Sequence, residues 1–512
     1  MKLRVRLLGY ESGGRNVVLI DDSLAEALDV RPLDRVLVKL GDRHAVAIVN
    51  VARGFSPSEI GLYEEVARAL GASDGDEVEV EPASAPESLV YIRKKLERGR
   101  LTKSEVYSII RDIVDGYLSD VEIAALVLSL HFLGLSVEEM LYFTEAMVET
   151  GDRLNLKRRP ILDKHSLGGV PGDKTSLLVV PIIASLGYTI PKTSSRAITS
   201  AAGTADRMEV LAPVNLSLDE MREVVEKVNG CIVWGGTLRL APADDLIIKV
   251  EYPLGVDPFF IPSILAKKLA VGSTHVVLDI PTGRGTKART IGEARRLARD
   301  FIELAQKLGM RLEVAITYGE EPVGYAIGPA LEAREALEAL MGRGPPDLVD
   351  KAVSLASILL EMVGVRGAKE AAQEALRSGK AEKKMREIIE AQGGDPNVKP
   401  EDIEVGDKTF TLRADRDGYV FWISNSALAT IGKAAGAPRD KGAGILLHAK
   451  LGDRVRKGEP LMTVYAESSV KLQAAEKLVE ELMPIAVGRG ITGRMLLERI
   501  PAAPEKWVVI ER

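Results

Sequence analysis

From about residue 158 to about residue 318 the chain alternates strand-like and helix-like runs, and few folds accept that order. PILD, YTIPKTSS, CIVWGG, HVVLDIP and RLEVAIT read as strands, while 175–187, 219–229, 259–271 and 290–308 read as helices. Parallel strands need a crossover long enough to hold a helix, so the alternation predicts a parallel α/β sheet. In such sheets ligands bind in the crevice at the carboxyl ends of the strands. The loops that leave those ends are where function is expected.

The first such loop, DKHSLGGVPGDKTS at 163–176, holds three glycines, with Lys164, His165, Ser166, Lys174, Thr175 and Ser176 as donors. A glycine-rich link from strand to helix aims backbone N–H groups and a helix dipole at an anion. The triphosphate-loop pattern G-x-x-x-x-G-K-[ST] is not met, because Asp173 follows Gly172 and Lys174 comes one residue late. Backbone needs alone would explain the glycines. Glycine together with Lys, His, Ser and Thr points to phosphate.

Four other stretches carry related chemistry. At 191–209, Ser194, Ser195, Thr199, Ser200 and Thr204 surround Arg196, whose guanidinium can fork onto a phosphate. The plain alternative is an ordinary polar loop. IPTGRGTKAR at 280–289 is a third glycine-rich loop and carries Lys287; WGGTLRLAPAD at 234–244 offers one more wall. Three anion-friendly loops exceed what one phosphate needs, so two phosphoryl groups or one large anion are expected. At 251–270, Asp257 precedes an apolar run, and Ser263 and Lys267 follow, four apart on one helical face. Asp257 is either the N-cap of that helix or a carboxyl group whose proton affinity an apolar wall has raised.

The rest of the chain divides around this unit. Residues 1–84 are short β-branched or alternating runs between Gly and Asp turns, interrupted by one helix over SEIGLYEEVARALG, and predict a small β-rich, barrel-like domain. ASAPES reads as a linker. Residues 88–158 show helical periodicity, with Ser119 and Ser136 as N-caps, and predict a helical domain that also receives about 248–272. The central α/β domain is expected over 159–345, a helical continuation over 346–404, and an α+β domain over 405–512. The fold class is thus multidomain α/β. LGDRVRKGEPLMTVYAE resembles a biotinyl or lipoyl hairpin, but the tight apolar turn lacks the lysine a carrier needs, so it is read as scaffold.

Composition narrows the function classes. The net charge is −6 with no basic tract, which argues against nucleic acid as a partner. No segment is apolar for long enough to span a bilayer, and the N-terminus alternates like a strand, so a cytoplasmic protein is expected. The single cysteine, Cys231, and five scattered histidines make a disulfide framework or a structural metal unexpected. Four Gln and seven Asn beside abundant Arg and Glu fit a protein selected for heat.

DKHS-x-GGV-x-GD-x-TS, the Ser-x-Arg loop ending in Gly203-Thr204, APADD, and SILAKK followed by LDIPTGRGTK resemble thymidine and pyrimidine-nucleoside phosphorylases. Over nearly the whole chain the sequence looks most like the archaeal branch of that family, which acts on AMP and has an additional N-terminal domain. The resemblance implies phosphorolysis of an N-glycosidic bond, with inorganic phosphate as co-substrate and no cofactor. It also implies a homodimeric core joined into larger assemblies through the N-terminal domain. Lys164, Ser166, Ser176, Ser194 and Thr204 match phosphate-binding positions, and Ser263 and Lys267 match positions facing the base. Gly168 and Gly169 of the motif, the stretch Ser195, Arg196, Ala197, Ile198, Thr199 and Ser200, and Thr204, Ser263 and Lys287 match nucleotide-binding positions; Asp257 matches the proton donor. Where pyrimidine enzymes carry Thr-Arg-Asp, this chain has Lys249-Val250-Glu251, which favours the nucleotide branch and leaves AMP, CMP and UMP open. Pyrimidine-nucleoside phosphorolysis, a phosphoribosyltransferase with Asp244-Asp245 on magnesium, and a non-catalytic nucleotide sensor are the alternatives.

Overall fold

The computed structural model describes residues 1–197 and 200–488. Two of the candidate contacts, Ile198 and Thr199, and the segment 489–512 lie outside the described residues.

The N-terminal strands close into a six-stranded barrel, in the order Lys2–Leu7, Glu59–Leu62, Val17–Asp21, Arg43–Ala52, Arg35–Leu40, Glu77–Ala83. Period-two alternation sends Val5, Val18, Ile20, Val36, Val38, Ile60, Val78 and Val80 into its core. Two details differ from expectation. SEIGLYEEVARALG does not form one helix: Glu59–Leu62 pairs in the barrel, burying Ile60 and Leu62, and the helix is confined to Glu64–Leu70. A helix at Asp22–Leu28 was not expected; Asp21 caps it by accepting from Ser23 N.

Four helices follow, Ser88–Leu96, Lys103–Val114, Asp120–Leu133 and Val137–Glu149. Ser119 with Glu122 and Ser136 with Glu139 form reciprocal capping boxes, as does Thr102 with Glu105. The barrel is fastened to this bundle by ion pairs from Arg15 to Asp120 and Arg35 to Glu122, and by Asn16 Nδ2 donating to Asp115 O at 3.0 Å.

The central sheet is parallel. Arg311–Tyr318, His275–Thr282 and Leu162–Ser166 pair in that order, and a single parallel bridge, Ile161 to Thr189, continues to Ile190–Ser194 and Gly230–Trp234. The helix Ser176–Ser185 is apolar on all sides because Pro346–Met362 and Lys380–Ala391 cover the face away from the sheet. Between two strands of this sheet the chain returns to the helical bundle: Pro242–Leu254 and Phe260–Ala270 pack on its helices, with the Phe143 and Phe259 rings edge to face at 5.0 Å. The described C-terminal part forms two small sheets, and Ala326–Ile327 of the central region adds an edge to one of them. Residues 242–270 therefore build one wall of a cleft whose other wall is the loops of the parallel sheet.

Candidate active site

The loop after Leu162–Ser166 is organised by its glycines. Gly168 and Gly169 have φ of 76° and 89°, and a Cβ on Gly169 would stand 2.9 Å from Thr286 Cα. Glycine there lets this loop touch the loop that carries Lys287. Lys164 is buried, and its Nζ donates to Thr175 Oγ1 at 3.0 Å and to Ser176 Oγ at 3.5 Å. Burial pushes its pKa down, and Asp173 and Asp279 oppose that. Burial likewise holds His165 well below the usual imidazole range, which makes it a neutral ring. Ser166 Oγ donates to Asp173 Oδ2 at 3.3 Å. Lys164, Ser166 and Ser176 are thus brought together around the start of the helix Ser176–Ser185, where backbone donors also point. Lys174 is a correction. Its Nζ is buried on Val323 O, Ala326 O and the Glu335 carboxylate, so it fastens the loop from behind and offers nothing to an anion.

The second loop is closed on itself. Asp206 Oδ2 accepts from Ala197 N at 2.7 Å and Gly203 N at 2.9 Å, and a Cβ on Gly203 would meet Ser195 O at 2.6 Å. Ser194 Oγ donates to Val233 O at 3.1 Å and Ser200 Oγ to Ala202 O at 3.0 Å. Thr204 opens the short helix Thr204–Met208. Arg196 is the second correction. Its guanidinium is held by Glu209 at 2.5 and 2.8 Å and by Asp206 at 3.2 Å, and it lies 4.7 Å from the Trp234 ring centroid. In this arrangement it latches the loop and does not fork onto a phosphate. Arg207 joins the two loops, donating to Asp173 O at 2.8 Å and Ala202 O at 2.9 Å.

Across the cleft, Asp257 sits between the two helices of the facing wall. It does not cap the second one: Phe259 holds the N-cap position, with no side-chain hydrogen bond. Its Oδ2 lies 3.4 Å from Lys287 Nζ, which stands 3.8 Å from the Phe260 ring centroid. Partial burial raises the Asp257 carboxyl from its ordinary value, while Lys287 pulls the other way. Lys267 Nζ pairs with the buried Asp244 Oδ2 at 2.6 Å, which gives Asp244 a cation from the chain itself. Ser263 lies one helical turn before Lys267, partly exposed on the same helix.

Sequence reasoning missed the groups behind the loops. Lys351 Nζ bridges Asp173 Oδ2 at 3.1 Å and Asp279 Oδ2 at 2.9 Å, and Lys268 Nζ meets Asp163 Oδ2 at 2.8 Å. Asp163 and Asp279 lie in parallel strands of the central sheet, and for Asp279 a carboxylate within the largely apolar run HVVLDIPT was the available signal. Lys351 comes from a helix far along the chain, and no local pattern marks it.

The chain was compared with known proteins. It is 65% identical to an AMP phosphorylase of Thermofilum pendens over the full length of both chains. It is 52% identical to an AMP phosphorylase of Thermococcus kodakarensis, covering 98% of this chain and 99% of that one. The chain belongs to the AMP phosphorylase family. An AMP phosphorylase of Methanosarcina mazei is 47% identical over 95% of this chain and 96% of its own. The family models agree with that placement. The helical bundle domain of the glycosyl transferase family matches 90–151, its a/b domain matches 158–382, and the pyrimidine nucleoside phosphorylase C-terminal domain matches 419–486. The chain is an enzyme of the pentosyltransferase type.

Proposed function

We infer that the protein catalyses reversible phosphorolysis of AMP, with inorganic phosphate as co-substrate and no cofactor, giving ribose 1,5-bisphosphate and adenine. The observation that carries this reading is that the loop holding Lys164, Ser166 and Ser176 touches the loop of Lys287, which pairs with Asp257 on the facing helical wall. Phosphate held by the loops attacks C1′, and the glycosidic bond breaks through an oxocarbenium-like state. Adenine is a poor leaving group as an anion, so Asp257 protonates it, at N7. Fixed donors stabilise the charge that develops, and closure of the two walls over the substrate would exclude water. Lys287, with about half of its side chain open, is the cation of the third loop that can meet the nucleotide's own phosphate. Val250 is buried and apolar where a pyrimidine enzyme would present arginine, which supports the nucleotide over the pyrimidine nucleoside.

The test is to supply phosphate with either AMP or adenosine and to measure free adenine. AMP is expected to be preferred. Adenosine has no 5′-phosphate, and each phosphate–cation interaction it fails to make forfeits about 1.5–3 kcal/mol, roughly ten- to a hundredfold. Equal turnover of the two would return the protein to nucleoside chemistry.

A further inference from the structure

Three carboxyl groups gather on the base side of the cleft, and only two have a lysine. Asp244 is paired with Lys267 at 2.6 Å and Asp257 with Lys287 at 3.4 Å. Glu251 is buried in the last turn of Pro242–Leu254, and among the described residues no cation lies within ion-pairing distance of it. Its place in the backbone is equally specific. The Glu251 carbonyl accepts from Val256 N at 3.3 Å, and its Oε1 accepts from Phe259 N at 3.4 Å. The residue thus straps both sides of the short segment whose middle is Asp257.

We propose that Glu251 is the proton reservoir of the base site, a positioning residue that holds the proton of the carboxyl cluster between turnovers and passes it to Asp257 when the nucleotide binds. The proposal rests on the AMP reading above. Burial first, and the Asp257 charge second, push the Glu251 carboxyl up to about 8, so it is protonated at neutral pH while Lys287 favours the carboxylate form of Asp257. The charged groups facing Glu251 are Asp244 on its own helix, Asp257 on the connecting segment and Lys287 on the opposite loop; Lys267, on the following helix, reaches it through Asp244.

The proton balance closes over one turnover. In the resting site Glu251 is a carboxylic acid and Asp257 a carboxylate. When Lys287 turns to the nucleotide, Asp257 loses its counter-charge, and the proton moves from a Glu251 oxygen to an Asp257 oxygen. Asp257 then gives it to adenine as the electron pair of the glycosidic bond leaves with the base. Both carboxyls are now ionised. The attacking hydrogen phosphate releases one proton as it becomes an ester dianion, and an equal proton returns from solvent to Glu251 after the base departs. A reservoir beside Asp257 is needed because the bound base covers Asp257 from water.

The experiment compares the pH dependence of kcat for the full-length wild type and Glu251→Gln, each saturated with AMP and phosphate. Glutamine keeps the acceptor for Phe259 N and the volume, but carries no transferable proton. A merely structural role therefore predicts a wild-type profile. The inference predicts a kcat about a hundredfold lower, a KM for AMP within about threefold, and loss of the wild-type decline near pH 8. A variant with wild-type kcat and the same decline overturns it. Infrared difference spectra give a second reading without that variant. The C=O band of a protonated carboxyl should be present in Asp257→Asn and bleach at a pH below about 8, because the Asp257 charge that helps to raise the Glu251 carboxyl is gone; its absence overturns the inference. Adenine release by the wild type is followed in the same series, so a failure of the AMP reading shows in the wild type, whereas a failure of the Glu251 assignment shows only in the variants.

Discussion

Lys287 Nζ and Asp257 Oδ2 stand 3.4 Å apart, one on a loop of the parallel sheet and the other between two helices packed on the bundle. This ion pair crosses the cleft, and each partner changes what the other can do. The lysine pulls the Asp257 pKa down against burial. On the proposed reading, a nucleotide phosphate that draws the lysine away would restore the acid.

Asp257→Asn is expected to bind AMP and fail to turn it over, because an amide cannot supply the proton. The expected loss in kcat is about 10²–10⁴-fold with KM for AMP little changed, read by steady-state kinetics. A kcat near that of the wild type would leave Asp257 without a chemical role.

Lys164→Ala should raise the phosphate requirement far more than the AMP requirement. The ammonium is buried among hydroxyls and faces the helix start, and removing one desolvated interaction of this kind costs roughly 2–4 kcal/mol. Phosphate titrations at saturating AMP decide it; an unchanged phosphate KM removes this loop from phosphate binding.

Glu209 makes a pH-dependent contribution to stability. Hydrogen bonding from Arg196, and then the Lys441 ammonium at 2.5 Å, lower its carboxyl from the ordinary 4.5 to about 2. A depressed carboxyl stabilises the fold fully above its unfolded pKa and loses that effect as pH falls through the folded one. The difference in Tm between wild type and Glu209→Gln should therefore be constant above about pH 5 and shrink toward pH 2. A difference that persists at pH 2 would mean the latch does not depend on the charge.

Deleting residues 1–84 should leave a folded core that still phosphorolyses AMP, since the phosphate loops and Asp257 all come later in the chain. The barrel does touch the base wall: Lys249 Nζ donates to Gly13 O at 2.8 Å, two residues before Glu251. A modest rise in KM for AMP is expected with the deletion. Light scattering should show a smaller assembly; an unchanged subunit number would remove the barrel from assembly.

The local patterns of this chain determined its elements and where to look for chemistry. Capping boxes at Ser119 and Ser136, the glycines at 168 and 169, and the strand–helix alternation are short-range signals, set by backbone hydrogen bonds and φ preferences that neighbouring residues decide. They marked Lys164, Ser166, Ser176 and Asp257 as candidates, and the fold brings the first three together. What each charged side chain does was decided by tertiary structure. Lys164 and Lys174 stand ten residues apart in one motif, yet one lies among the hydroxyls of the phosphate loop and the other is buried against Glu335. Arg196 reads as a phosphate ligand until Glu209 is folded against it, and Glu251, in sequence only the end of Lys249-Val250-Glu251, is buried without a paired cation among the described residues once the chain is folded. The reason is physical: a charge acts through whatever lies within a few ångströms of it, and in this fold those neighbours come from distant parts of the chain.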